Sequence, residues 1–157
     1  MEESHSQQQS HPMLTLKPEG LASPRKISRS ERRAMLAERI HLAIDALLSR
    51  QTTEGHWLDY RLPFGYADCF VTAFVGLTMT RALSFEPHAQ DAAQRAAGWL
   101  ATKRTLDGGW GLGSHAGADT RTSALAIRLF EEIGHEIAPE SHAWLLSMWD
   151  RRGGFIG

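Results

Sequence analysis

Two aspartates at corresponding places in the chain are its best candidates for acid chemistry. Asp68 is followed by Thr72-Ala73 and Asp119 by Ser123-Ala124, so an acid and a small hydroxyl residue before alanine recur 51 positions apart. A carboxylic acid that holds its proton can donate it to a substrate as a general acid. Asp is also among the preferred residues at helix N-caps, and capping is the favoured interpretation of both. Asp68 and Asp119 are therefore catalytic candidates with a competing structural role.

The segments that would position these acids are arranged as a sequence repeat. Three stretches each carry a helix-like segment, a polar gap, a charged residue, glycine and an aromatic, with turns near residues 51–57, 104–110 and 149–155. Trp57 and Trp110 are 53 positions apart, and Phe155 follows 45 positions later, a period typical of helical-hairpin repeats. Each repeat is thus predicted to contain two helices.

Apolar spacing predicts helices and no strand, because every patterned segment follows a period of 3.6 residues and none alternates. Ser28 to Glu31 matches a capping box, Gly134 suits a left-handed C-terminal position, and Pro139 suits a first helical turn. The second helix is apolar around most of its circumference and should be an inner one. The predicted order is outer, inner, outer, inner, outer, over about 28–50, 68–83, 87–103, 119–134 and 139–149.

The turn of the second repeat carries the most complete motif. It reads Arg95-Ala96, Trp99-Leu100, Arg104 and Asp107-Gly108-Gly109-Trp110. This pattern resembles the QW motif of squalene cyclases and other class II terpene cyclases, which recurs in looser form in protein prenyltransferase β subunits. Arg104 stands where that motif has Gln, whereas the first copy keeps Gln51 but lacks the earlier aromatic. The resemblance covers all three turns and implies an all-α fold, the α/α toroid, whose inner helices surround a cavity.

The length of the chain predicts an incomplete ring. A toroid of this type takes about six hairpins of roughly 50 residues, on the order of 300 residues, whereas these 157 residues hold two and a half hairpins. We expect a partial toroid of about five helices over residues 28–157 and a disordered tail over residues 1–27. Self-association or a partner chain should cover the open inner faces, which include Phe70, Phe74, Leu125 and Leu129.

The resemblance also implies an acid that this chain lacks. Class II cyclases protonate their substrate with an Asp of an Asp-x-Asp-Asp motif at the start of an inner helix, before a Thr-Ala pair. Matching that pair to Ser123-Ala124 places the motif on Asp119-Thr120-Arg121-Thr122, so the first Asp is present and the protonating Asp is replaced. Arg121 would also keep a neighbouring carboxylate ionised, the wrong state for donating a proton. The segment that starts at Asp68 lacks the acid as well.

Aromatic residues cluster before and within the second helix. In the family, aromatic rings line the cavity, and their π faces stabilise carbocations. Most of these rings should nevertheless pack in the core, and we expect one or two to face the cavity. The candidate substrate-binding residues are Tyr60, Phe64, Tyr66, Phe70 and Phe74.

A zinc site of the prenyltransferase type has little support. Such a site needs an Asp-x-Cys pair and a distant His, whereas Asp68 and Cys69 are adjacent and no His-x-x-Cys pattern occurs among the eight histidines. The sequence also contains no convincing diphosphate-binding cluster. We therefore predict no metal and no cofactor.

Composition narrows the partner and the compartment. A formal charge of −1 argues against nucleic acid, and 42% apolar residues suit one globular domain. The N-terminus lacks the pattern of a secretory signal, no apolar run approaches the roughly 18 residues of a membrane span, and a lone cysteine fits a reducing compartment. The predicted location is cytoplasmic. The short basic run from Arg25 to Arg33 could touch an anionic lipid surface, but a solvated linker that enters a helix is its favoured interpretation, so membrane association is expected to be peripheral at most.

Three functions stay open at this point. The first is a terpene cyclase-like or prenyltransferase-like repeat protein that binds an isoprenoid or other apolar chain and lacks the acid of class II cyclases. The second is a class II terpene cyclase, an isomerase, that is active only when a homo- or hetero-oligomer completes the toroid. The third is a helical repeat scaffold that binds protein.

Overall fold

The computed structural model describes residues 27–59, 61–63, 65–150 and 154–155. The predicted tail, residues 1–27, lies outside this part of the chain except for Ile27. The described residues form an all-α structure, as predicted, and none of their helices is long and apolar enough to cross a bilayer. The helices are α1 (Arg29–Leu48), α2 (Asp68–Ala82), α3 (His88–Ala101), α4 (Thr120–Ile133) and α5 (Pro139–Ser147).

Local sequence signals fix several helix ends. Ser28 Oγ accepts the amide of Glu31 at 3.1 Å, and the Glu31 carboxylate accepts the amide of Ser28 at 2.7 Å, so the predicted capping box is confirmed. Gly134 ends α4 with φ of 69°, the left-handed conformation that glycine adopts without steric cost. Pro139 opens α5, where its missing N–H leaves no helical bond unmade.

Two short antiparallel ladders lie in the loops, so the prediction of no strand is wrong at these places. β1 (Arg61–Leu62) pairs with β2 (Gly65–Tyr66), and β3 (Trp149–Asp150) pairs with β4 (Gly154–Phe155). Strands of two residues are too short to show the alternation that identifies a strand in sequence.

The core lies where α2 packs between α3 and α4. Five alanines of α3 are fully buried, and their small side chains let α2 approach closely. At Gly76 of α2, an added Cβ would lie 2.7 Å from Leu129 of α4, so glycine makes room for that leucine. Leu129 is therefore fully buried between the inner helices, and the prediction that it lies on an open face is wrong.

Neighbouring repeats are joined by a turn bound to the next outer helix. The Gln51 side-chain amide donates to the carbonyls of Gly55 at 2.9 Å and Ala92 at 2.8 Å, and the Arg95 guanidinium donates to Gln51 Oε1. The His56 ring stacks on the Trp99 ring at 4.5 Å between centroids. The first turn is thus fixed to the middle of α3.

Candidate functional site

Buried tryptophans hold the first two repeat turns. Trp57 Nε1 donates to the carbonyl of Leu47, and Trp110 Nε1 donates to the carbonyl of Leu100, both at 2.7 Å and both across ten residues. The two indoles are 3% and 1% exposed. Each buried ring therefore packs over the C-terminal end of its outer helix and donates a hydrogen bond to one of the last carbonyls of that helix.

The recurring hydroxyls connect each turn to its inner helix. Trp57 N–H donates to Thr72 Oγ1 at 3.0 Å, and Trp110 N–H donates to Ser123 Oγ at 2.8 Å. Both hydroxyls also donate back to the carbonyl of the same tryptophan. The Thr/Ser-Ala echo in the sequence thus has a structural cause, since a small hydroxyl at this place fixes the start of the inner helix.

Asp68 joins two repeats and does not cap α2. The N-cap is Ala67, which makes no side-chain bond, so the capping interpretation of Asp68 is wrong. Asp68 Oδ1 accepts the amides of Cys69 at 2.8 Å and Ser114 at 2.7 Å, and Oδ2 accepts the Ser114 hydroxyl at 2.5 Å. Ser114, 46 residues away, was missed in the sequence, where only its glycine-rich surroundings marked a loop.

Asp119 caps α4, as the capping interpretation predicted. Its Oδ1 accepts the amide of Thr122 at 2.9 Å, and its extended backbone is that of an N-cap residue. The other oxygen, Oδ2, is enclosed and has no hydrogen-bond partner among the described residues. Asp119 lines a cavity of about 330 Å³ with Leu112, Ala116, Gly117, Thr120 and Arg121.

Two of the five candidate aromatics meet on one face of α2. The rings of Phe70 and Phe74, one helical turn apart, stack at 6.3 Å between centroids with an angle of 10° between planes. Phe74 is 55% exposed and Tyr66 is 45% exposed, so both present apolar surface to solvent. The other two candidates, Tyr60 and Phe64, lie outside the described residues.

Cys69 is a buried thiol beside the carboxylate of Asp68. Burial, and then the negative charge of Asp68, raises the pKa of the Cys69 thiol from 9.0 to about 12. A thiol that stays protonated at neutral pH is neither a nucleophile nor a metal ligand. In the part of the chain that the structure describes, no three His, Cys, Asp or Glu side chains are grouped to hold a metal ion.

Comparison with known proteins relates the repeats to terpene cyclases. No protein-family model matches the chain. Over 111 residues, 68% of this chain, it is 33% identical to labda-7,13-dienyl diphosphate synthase from Streptomyces clavuligerus. Over 97 residues, 62% of this chain, it is 30% identical to terpentedienyl-diphosphate synthase from Kitasatospora griseola. The chain spans 19% of the length of each of these relatives.

Solved structures of MstE, a type II terpene cyclase from Scytonema, have the same fold. The apo enzyme has a TM-score of 0.72 and 26% identity, over 78% of this chain and 37% of that one. An MstE variant in complex with the product merosterolic acid A has a TM-score of 0.75 and 25% identity, over 82% of this chain and 38% of that one. The chain is a relative of the class II terpene cyclases. The predicted α/α toroid fold is thereby confirmed for the part of the ring that these residues form.

The acid motif of the family does not occur in these 157 residues. The 157-residue sequence contains no Asp-x-Asp-Asp run, and the position matched to the protonating Asp carries the exposed Arg121. Both oxygens of Asp68 accept hydrogen bonds, and one oxygen of Asp119 binds the start of α4. The described residues thus offer one free carboxylate oxygen at the two catalytic candidates, Asp119 Oδ2.

Proposed function

We propose that this cyclase relative binds an isoprenoid or other apolar chain on the Phe70–Phe74 face of α2. The observation that carries the proposal is a stacked ring pair on an inner helix, in which Phe74 is exposed and Phe70 is half-buried. Inner helices surround the cavity in the toroid fold. MstE variants with this fold are seen with the substrate geranylgeranyl dihydroxybenzoate and with the product merosterolic acid A.

The exposed ring of Phe74 supplies the binding energy in this proposal. An aromatic side chain buries 150–250 Å² when fully covered, so covering the exposed half removes about 100 Å² from water. At about 25 cal/mol per Å², that area contributes on the order of 2 kcal/mol, which is more than a tenfold change in the dissociation constant. The same π faces would attract a cation formed along the bound chain.

We also propose that the described residues do not protonate the bound chain. Arg121 and Thr122 occupy two of the places where the family pattern has acids. Asp68 and Asp119 act in this proposal as positioning residues, because their oxygens accept hydrogen bonds that fix a loop and a helix start. A cytoplasmic location, peripheral membrane contact at most, and an oligomer that completes the ring belong to the same proposal.

A binding experiment with a matched control tests the ring pair. Purified chain is titrated with geranylgeranyl dihydroxybenzoate and with geranylgeranyl diphosphate, and the dissociation constant is compared for wild type, Phe74→Ala and Leu106→Ala. Leu106 is fully exposed on a turn, so its truncation removes apolar surface away from the proposed site. We expect Phe74→Ala to weaken binding about tenfold and Leu106→Ala to leave it unchanged. Equal affinities of all three proteins, or no binding to wild type, would contradict the proposal.

A further inference from the structure

The starts of α2 and α4 are equivalent sites in successive repeats, and in α2 the site is occupied. Asp68 binds the amide and hydroxyl of Ser114, and the amide of Phe70 donates to the carbonyl of Leu112 at 3.1 Å. Three consecutive residues, Leu112 to Ser114, thus dock on the first turn of α2. They belong to the loop that follows the next repeat turn.

Two of the corresponding groups at the start of α4 have no hydrogen-bond partner among the described residues, whereas Asp119 Oδ1 accepts the amide of Thr122. Asp119 lies 51 positions after Asp68, and Arg121 lies 51 positions after Phe70. Asp119 Oδ2 is enclosed without a partner, and the amide of Arg121 makes no hydrogen bond within the described residues. Asp119 and Arg121 both line the cavity of about 330 Å³. Enclosed polar atoms in native proteins are almost always hydrogen-bonded, so this arrangement calls for an occupant.

We propose that the start of α4 is a docking site for a polypeptide loop of the Leu-Gly-Ser type, the loop of a further repeat of this kind. A backbone carbonyl of the loop accepts the amide of Arg121, and two residues later a serine amide and hydroxyl donate to Asp119. The occupied site at Asp68 supplies this pattern of donors and acceptors.

Glycine before the serine is part of the recognition. A Cβ at Gly113 would overlap the carbonyl oxygen of Tyr66, so a residue with a side chain cannot take its place in the occupied site. Gly117 lies 51 positions after Tyr66 and lines the cavity beside Asp119. The carbonyl of Gly117 therefore corresponds in sequence to the carbonyl of Tyr66. We expect a loop that docks beside Asp119 to need glycine before its serine for the same steric reason.

A phosphate-type anion fits the site less well than a loop. The helix N-terminus and the guanidinium of Arg121 favour an anion. The enclosed oxygen of Asp119, however, accepts hydrogen bonds and carries negative charge, so it needs a donor and repels a second anion. A serine hydroxyl and amide supply those donors.

Peptide binding to the full-length chain tests the proposal. The probe is a capped peptide with the sequence of residues 109–118, titrated to about 10 mM into isotopically labelled protein and followed by amide chemical shifts. That range saturates a site with a dissociation constant on the order of 1 mM. We expect saturable shifts at Arg121 and Thr122, and loss of these shifts for a peptide carrying Ser114→Ala or Gly113→Ala.

Two charge-matched variants locate the peptide. Asp119→Asn keeps an N-cap oxygen for α4 but places an amide donor where Oδ2 lies, and should weaken binding at least about tenfold. Asp107→Asn makes the same charge change at an exposed turn and should bind as wild type does. No shift at 10 mM, or equal binding by both variants, would overturn the proposal. A third result would also overturn it: inorganic pyrophosphate displaces the peptide from wild type, and pyrophosphate also binds saturably to Asp119→Asn. That result would identify an anion site instead.

Discussion

Arg104 pairs with Glu140 at 3.5 Å across the junction of the second and third repeats. At the preceding junction, Arg95 donates to Gln51. Gln51 and Arg104 hold the same motif position, as do Arg95 and Glu140, so the basic partner has moved from the outer helix to the turn. Arg104 therefore replaces the Gln of the QW pattern, and Glu140 replaces its basic residue. The two replacements compensate each other, so both junctions keep a hydrogen-bonded contact.

Reversing this pair should show that the two positions are coupled. Glu140→Arg alone places two cations together and should lower the free energy of unfolding by about 0.5 kcal/mol, a small effect because both side chains are partly exposed. Adding Arg104→Gln recreates the first junction and should restore stability. Denaturant unfolding of the single and double variants measures the coupling, and strictly additive effects would argue against it.

Gly108 should tolerate no β-branched residue. Its φ of 103° is rarely adopted by residues with a side chain, and an added Cβ would lie 2.7 Å from the carbonyl oxygen of Glu140. Gly108→Val should cost more than about 3 kcal/mol, because strain and overlap add. The control is Gly98→Val in α3, where an added Cβ would meet no atom within 4 Å apart from the adjoining backbone of its own helix, and the change should be within about 0.5 kcal/mol. Similar melting temperatures for both variants would remove the steric argument.

Trp110→Ala should destabilise the fold strongly. The ring is buried, packs edge-on against Phe130 at 5.5 Å and donates to the carbonyl of Leu100. Truncation leaves a large cavity and removes the bond from Nε1, at a cost of about 3 kcal/mol or more, although the amide of Lys103 still donates to the Leu100 carbonyl. Leu106→Ala, at an exposed turn position, should change stability little. Thermal or chemical unfolding compares them, and a small loss for Trp110→Ala would mean that the turn relaxes around the gap.

The isolated chain should form no cyclised product from squalene or geranylgeranyl diphosphate. The positions matched to the acid motif hold Arg121 and Thr122, and half a ring cannot exclude water from a carbocation. Product analysis after extended incubation is the measurement. If product forms and Asp119→Asn abolishes it without unfolding the chain, Asp119 is the acid and the proposed positioning role is wrong.

Cys69 should lower the stability of the fold at high pH. Its thiol pKa is raised from 9.0 to about 12, so above pH 9 the unfolded chain releases this proton while the folded chain keeps it. Unfolding is then favoured as pH rises, by about 2 kcal/mol between pH 8 and pH 10.5. Cys69→Ala removes this contribution, and its stability relative to wild type should improve over that range. A parallel pH dependence of the two proteins would show that the thiol titrates normally.

Sequence signals within a few residues predicted the helix ends of this structure, whereas contacts between residues far apart in the sequence were predicted less well. The capping box at Ser28, the end of α4 at Gly134 and the start of α5 at Pro139 depend on a few neighbouring residues, and each is confirmed. The partner of Asp68 lies 46 residues away, so an N-cap interpretation was wrong for it and right for Asp119. Nothing in a single sequence distinguishes the two roles, because both aspartates precede a helical pattern.

Helical spacing also identifies the apolar face of a helix, but it does not predict which element packs against that face. Leu129 was predicted on an open face, yet Gly76 on α2 leaves room for it in the core. Of the aromatic candidates, Phe70 and Phe74 came together because residues one turn apart on a helix share a face. Their roles in binding stay predictions.

The reversed polarity of the two junctions favours the native order of the repeats by a small amount. Exchanging the outer helices α3 and α5 would place Arg95 against Arg104 and Glu140 against Gln51, so one junction would join like charges and the other would lose its guanidinium donor. Repeats of similar shape can mispair during folding or be shuffled by recombination, and unlike contacts at each junction disfavour the wrong neighbours. These contacts therefore add a weak preference for the correct neighbour, and they lie on the outer surface, apart from the face that would meet a ligand.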